Sequence, residues 1–213
     1  MSDDSEQVNW HSEAIAAEAK AALVALRNAS LLVSFYLAGG TGLALRFGHR
    51  LSRDLDFFAG QPFDGERLLQ GMRGLPGFSL TATAPQTLHA TVNETKVSFL
   101  GYPYPVLFPS SPYREVAVAD PRDIACMKIS AIASRGARRD FVDLYVAAQR
   151  FGLADLLRLF DRKYAQTRLS KLHILKSLTF FEGAEKEPIP HLLVPLDWDE
   201  VKRFFLRDVP RLA

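Results

Sequence analysis

The block that most constrains this chain runs from Phe35 to Phe58, FYLAGGTGLALRFGHRLSRDLDFF. A continuous β-prone run, Leu31 to Ala38, reads as a buried strand that ends at Gly39-Gly40. A short helix from Thr41 to His49 follows, closing near Gly48. A polar loop then leads to a second β-prone piece, Leu55 to Phe58. On a strand, residues i and i+2 project from one face, so Asp54 and Asp56 point together while Leu55 and Phe57 turn into the core. Two carboxylates on one side repel unless a cation sits between them. Hard oxygen ligands of this kind suit Mg²⁺ or Mn²⁺, which also coordinate substrate phosphates. Glycines let the backbone approach a ligand closely, and free N–H groups at a helix N-terminus attract phosphate. Gly39, Gly40 and Thr41 are therefore candidate phosphate-binding residues, and Asp54 and Asp56 are candidate metal ligands and catalytic residues.

Taken singly, Gly-Gly-Thr can be a tight strand-to-helix turn and Asp-x-Asp a solvated strand edge. Order and spacing join them, because the twelve residues between Thr41 and Asp54 are enough for one short helix returning to an adjacent strand. A phosphate loop followed by a carboxylate pair is the logic of phosphoryl transfer, in which the protein contributes positioning and charge stabilisation.

Around this block, Trp10 to Asn28 has apolar residues at helical spacing, and Asp64 to Met72 reads as a surface helix. Segments 78–83, 87–92 and 96–102 are separated by Pro85 and by Asn93-Glu94-Thr95, which predicts an antiparallel meander; Val116 to Val118 adds an edge strand. After Asp120 the pattern is helical. Asp120 is an N-cap, Pro121 suits the first helical position, and Asp123 complements the helix dipole. That helix stops before Gly136, and helices at about 138–150, 153–165, 170–182 and 198–208 follow, with Pro188, Pro190 and Pro195 in the loop before the last. The outline is an α/β core to about 118, then an α-helical bundle.

At 213 residues the chain holds one good core, or one core with a helical appendage. Cys126 is the only cysteine, which excludes an internal disulfide or a cysteine-based zinc site; its apolar surroundings make it a small buried hydrophobe. Residues Met1 to Trp10 carry Asp3, Asp4 and Glu6, without the basic start and apolar run of a secretory signal. No stretch approaches the ~18 unbroken apolar residues of a membrane span, so a cytoplasmic protein with no membrane partner is expected. Net charge is +2, and residues 135–176 hold 10 basic against 4 acidic side chains. Arg150, Arg158, Arg162, Lys163, Arg168, Lys171 and Lys176 could there form a positive wall for an RNA backbone, or simply a solvated helix face.

The Phe35–Phe58 block resembles the signature of the polymerase-β-like nucleotidyltransferase superfamily, a Gly-Gly/Ser turn followed by Asp-x-Asp. The string GGTGLALRFGHRLSRDLDFF is similar to that of AbiEii/AbiGii-type toxin nucleotidyltransferases. Two further stretches fit: ADPRDIACMKISAIASRGARRDFVDLYVA (119–147) and SLTFFEGAEKEPIPHLL (177–193). The resemblance implies an α+β fold, a nucleotidyltransferase-type mixed sheet flanked by helices (1–118), then a C-terminal α-helical domain (119–213) that completes the active site. It implies Mg²⁺ (or Mn²⁺) and an NTP substrate such as ATP, GTP or CTP. The acceptor it implies is RNA, possibly tRNA, or protein, with a cognate antitoxin as partner.

The resemblance assigns Lys128 to the triphosphate and Asp140 to activating the acceptor hydroxyl or holding a further metal. Arg135, Arg139 and Asp143 are secondary candidates, as are Arg50 and Ser52 for phosphate, while His49 reads as structural. Lys128 also has a plainer reading, a lysine snorkelling from a core-facing helix, and Asp140 and Asp143 another, as cap or partner of Arg139 near a helix start. One departure stands out: where many superfamily members place a third carboxylate downstream, segment 96–100 offers Ser98. Either Asp140 supplies that group or the chain is a catalytically weak nucleotide- or RNA-binding module keeping the fold. A structural, antitoxin-binding protein is a third reading.

Overall fold

The computed structural model describes residues 8–167 and 170–212. Asp3, Asp4 and Glu6, on which the absence of a leader is argued, and Arg168 lie outside the described residues. Among the described residues no helix is long and apolar enough to cross a membrane.

The expected helix from Trp10 is interrupted. A 3₁₀ turn, Ser12–Ala14, gives way to extended backbone at Ile15, and helix α1 begins only at Ala17 and ends at Asn28. The reason is a competing backbone pairing: Ala16 N–H donates to the Ser52 carbonyl, and Ser52 N–H to that of Ala14. The strand expected over Leu31–Ala38 shrinks to β1, Tyr36–Leu37. Ser30 takes a positive φ of 56° and Leu31 N–H returns to the carbonyl of Leu26, so the apolar run is spent on a turn that leaves Val33 86% exposed.

From there the expectations largely hold. Helix α2 (Gly39–Phe47) stops at Gly48 in the left-handed region, the usual glycine terminus. Strand β2 is Leu55–Ala59, and helix α3 (Gly65–Met72) is capped by Asp64, whose carboxylate accepts from the N–H groups of Glu66 and Arg67. The meander is β3 (Ser79–Ala84), β4 (Thr87–Val92) and β5 (Thr95–Gly101). Asn93 and Glu94, both at positive φ, turn β4 into β5. Strands β6 (Ser111–Tyr113) and β7 (Val116–Val118) form a hairpin that was only half expected.

All seven strands share one mixed sheet, in the order β3-β4-β5-β2-β1-β7-β6. Strand β2 is parallel to β5 and antiparallel to β1, and β1 is parallel to β7. Strand β7, expected at the edge, therefore lies one strand in, and β6 takes the edge, where Pro112 is tolerated because no ladder partner needs its missing N–H.

Helix α4 (Pro121–Arg135) is capped by Asp120 and ends at Gly136 in the left-handed region. Helices α5 (Arg138–Phe151) and α6 (Leu153–Lys163) follow. The single helix expected over 170–182 is two pieces, α7 (Lys171–Ser177) and α8 (Glu182–Glu185), before α9 (Trp198–Asp208). One sheet face packs Leu55, Phe57, Ala90, Val97 and Phe99 with Leu23 and Leu26 of α1 and Leu68 of α3. A second core joins Ala38, Leu43, Phe47 and Phe58 to Ile124, Ile129, Phe141 and Leu144, so the helices after 118 share their apolar interior with α2.

Candidate active site

The first N–H groups of α2 have no intrahelical partner, as at any helix start, and no side chain caps them. Gly39 is required on two counts. Its φ is +60°, and a Cβ there would lie 2.7 Å from Oδ2 of Asp56, so only glycine lets the loop sit against that carboxylate. A Cβ on Gly40 would overlap Nη2 of Arg50 and lie 3.2 Å from its Cζ. Thr41 is buried. Its hydroxyl donates to the Asp54 carbonyl and is 2.7 Å from Oγ of Ser52, so Thr41 and Ser52 fasten the loop to the strand entry.

Asp54 immediately precedes β2 and Asp56 lies on it. Both are partly exposed, while Leu55 and Phe57 between and beyond them are fully buried, as the alternation of a strand requires. The Asp54 carboxylate is 44% exposed and faces Arg139, itself half exposed, with Nη1 3.8 Å from Oδ2. The backbone carbonyl of Asp56 accepts from Ala38 N–H at 3.0 Å, which ties the pair to the start of the glycine loop. Ser98 on β5 is in register with Asp56, so the residue at the place of a third carboxylate is beside the pair.

The other motif residues form a buried charged frame behind this opening. Asp143, fully buried, accepts from Nε and Nη2 of Arg50 (2.7 and 2.8 Å), from Nε2 of His49 (2.8 Å), and pairs with Nζ of Lys128 at 2.7 Å. Asp140, also fully buried, accepts from Lys128 at 2.8 Å and from Nε and Nη2 of Arg135 at 2.8 and 3.0 Å. Burial alone would raise both carboxyl pKa values. At Asp143 the charges of Arg50 and Lys128 and the bonds from Arg50 and His49 outweigh it and hold the group well below the ordinary value. At Asp140 the Lys128 charge and the Arg135 bonds outweigh burial in the same way. Burial works against the Arg50 charge, but Asp143 wins and its pKa is raised. Arg135 is raised chiefly by its bond to Asp140, with Asp56 among the lesser contributors.

Lys128 is thus neither a free cation nor a snorkelling one: it bridges two aspartates inside the fold. The cations that face solvent beside the pair are Arg135 and Arg139, whose side chains are 53% and 50% exposed. The frame is also pinned from late in the chain. Leu51 N–H donates to the His191 carbonyl, Leu193 N–H donates to that of His49, and Arg50 bridges Leu192.

The spacing of Asp140 and Asp143 signals a shared helix face, but nothing local identifies their partners on other elements, His49 and Arg50 among them. The basic stretch 135–176 is not uniformly a surface. Arg138 is buried, with its guanidinium on the carbonyls of Ala184 and Glu185, and Lys163 is buried against Asp123 and the Pro105 carbonyl. Asp123, expected to serve the helix dipole, is the buried partner of Lys163 and also accepts from the N–H groups of Leu107 and Phe108. Arg150, Arg158, Arg162, Lys171 and Lys176 are exposed.

The profile of the AbiEii family, described as nucleotidyl transferase AbiEii toxin of type IV toxin–antitoxin systems, matches residues 21–212. The chain belongs to the AbiEii nucleotidyltransferase toxin family. It is accordingly a nucleotidyltransferase. An uncharacterised protein of Aquifex aeolicus (strain VF5) is 36% identical over 200 residues, 90% of this chain and 94% of that protein. The fold is similar to that of MenT4, a nucleotidyltransferase toxin of Mycobacterium tuberculosis H37Rv, at 21% identity and a TM-score of 0.55, covering 92% of this chain and 89% of that one. It is also similar to the antibiotic-resistance factor ANT(2'')-Ia, at 12% identity and a TM-score of 0.55, covering 70% and 90%.

The donor set fits the divalent cation that such a fold implies. Among the described residues no group of three or more His, Cys, Asp or Glu side chains gathers for a metal. Asp54 and Asp56 would offer two carboxylates at a solvent-facing opening and would leave the remaining positions to water and phosphate oxygens. Mg²⁺ accepts that arrangement, because it keeps waters and binds through one or two carboxylates plus substrate phosphates.

Proposed function

We propose that this enzyme transfers a nucleoside monophosphate from an NTP to an RNA acceptor, as the toxin of a toxin–antitoxin pair whose antitoxin restrains it. The observation that carries the reading is the joint placement of Gly39 and Asp56: an uncapped helix N-terminus lies against a partly exposed carboxylate two residues from a second. Asp54 and Asp56 would hold Mg²⁺, which when bound neutralises phosphate oxygens and orients them. The N–H groups of Gly39, Gly40 and Thr41 meet the phosphates, and Arg139 and Arg135 supply the exposed positive charge. Lys128, Asp140, Asp143 and Arg50 act as a frame that fixes the loop and Arg135. Asp140, depressed in pKa and enclosed by two cations, is suited to positioning rather than to proton abstraction.

The test is incubation with each α-labelled NTP, Mg²⁺ and total RNA, followed by gel analysis. Label should enter RNA with wild type and be lost with Asp54→Asn or Asp56→Asn, while the melting temperature stays within a few degrees because both side chains are partly exposed. Label in protein instead of RNA would overturn the acceptor assignment. Activity retained by both variants would overturn the site.

A further inference from the structure

Ser98 occupies more than a gap in a motif. On one side β5 runs parallel to β2 and sets Ser98 in register with Asp56; on the other, β4 sets His89 opposite Ser98. Residues paired in register share a sheet face, so His89, Ser98 and Asp56 form a row across three strands. Nδ1 of His89 lies 3.2 Å from Oγ of Ser98. The alternating residues Leu88, Ala90, Val97 and Phe99 are buried on the opposite face, whereas all three members of the row are partly exposed. Towards Leu100 this face is covered by the helical core. Beyond His89 the next strand presents only Ala82, which is exposed, so a bulky acceptor has a low wall to cross.

Among the described residues no other carboxylate serves this spot. Asp140 is enclosed by Lys128 and Arg135, and no third acid joins Asp54 and Asp56 among the described residues. A hydroxyl whose hydrogen is donated to an imidazole nitrogen keeps its lone pairs free, so it can accept a hydrogen bond from an incoming hydroxyl.

We propose that Ser98, oriented by His89, binds the attacking hydroxyl of the acceptor and aligns it with the α-phosphorus, replacing by a neutral hydrogen bond what a third carboxylate would do by charge. The site consequently holds one divalent cation rather than two. In the step, the acceptor oxygen bonds to the α-phosphorus as the bond to the bridging oxygen of pyrophosphate breaks. Pyrophosphate departs, and as the new bond forms the acceptor proton gives up its hydrogen bond to Ser98 and passes to water at the open side of the row. Ser98 touches substrate; His89 is a positioning residue that acts through it.

This inference rests on the nucleotidyltransferase reading above, and its test separates the two. Wild type, Ser98→Ala, Ser98→Asp, His89→Ala and His89→Asn are compared by Mn²⁺ binding with a non-hydrolysable NTP analogue, followed by electron paramagnetic resonance, and by transfer kinetics to total RNA. Ser98→Ala should reduce transfer at least tenfold with the affinity for the analogue unchanged. His89→Ala should fall in the same direction, and His89→Asn, whose amide reaches the place of Nδ1, should recover most of the loss. Wild type should bind one Mn²⁺ per chain and Ser98→Asp two, and a His89→Ala change should no longer matter in the Ser98→Asp background. Transfer by Ser98→Ala within twofold of wild type, or two Mn²⁺ already bound by wild type, overturns the inference and leaves the nucleotidyltransferase reading standing. Wild type that binds neither Mn²⁺ nor the analogue overturns both.

Discussion

Replacing Asp143 by asparagine removes one negative charge from the centre of the frame and changes almost nothing in shape. In the folded protein Asp143 balances Arg50 and Lys128 and accepts from His49, with no exposure of its own. Lys128 keeps Asp140, but Arg50, also buried, loses its opposing charge and one of its two acceptor oxygens, keeping the Leu51 carbonyl and at most the asparagine oxygen. Removing one partner of a buried ion pair strands the other in low dielectric and costs about 3–5 kcal/mol. For a chain of this length that is a fall of roughly 6–20 °C in melting temperature. Urea denaturation of wild type and Asp143→Asn measures it directly.

The pH dependence has a definite sign. The folded pKa of Asp143 is depressed, so its stabilisation is fully present above the unfolded value of about 4 and is lost as pH falls through the folded value. The gap between wild type and variant should be flat from pH 8 to 6 and should shrink as pH drops towards and below 4. A cost under about 1 kcal/mol, or a gap that widens on acidification, would refute the claim that this charge organises the frame.

Gly40→Ala should displace the Arg50 guanidinium, which Asp143 holds fast, and cost about 1–3 kcal/mol with loss of nucleotide binding. Gly60→Ala, where a Cβ meets nothing within 4 Å, should be silent in the same thermal and binding assays. Arg139→Ala should leave the melting temperature almost unchanged, since the side chain is half exposed, yet weaken NTP binding about tenfold by titration calorimetry, equivalent to about 1.4 kcal/mol. Burial pushes the Cys126 thiol up to about 12, so a thiol reagent at pH 8 should label it only after denaturation; rapid labelling of the native protein would contradict its place in the core.

The parts of this fold that were legible in the sequence are those governed by neighbours along the chain. Asp120-Pro121 and Gly48 mark helix ends because capping is a local transaction, and Asn93-Glu94 marks a hairpin because two adjacent residues must take positive φ. Leu31–Ala38 misled because a short apolar run looks the same whether it is a strand or a turn leading into one. Ile15 leaves the helical pattern only because Ser52, far along the chain, offers backbone partners. In the candidate site, the glycine loop and the carboxylate pair can be read from spacing. The bonds of Asp143 to His49 and Arg50 cannot, for they join residues more than ninety positions apart. The sign of a charge is visible in the sequence, but the partner that cancels it is not, which is why Lys128 and Lys163 look available and are not.

The hold of His191–Leu193 on the loop at His49–Leu51 has a consequence for the order of events during synthesis. A ribosome delivers the phosphate loop, both carboxylates and the lysine of α4 well before it delivers this last tie. Until then the backbone that carries Arg50 lacks its pairing partner, and the guanidinium under Gly40 is held from one side only. The backbone under the candidate phosphate loop therefore gains its second partner only once residues 191–193 have been made, after the Asp143 that holds the Arg50 side chain.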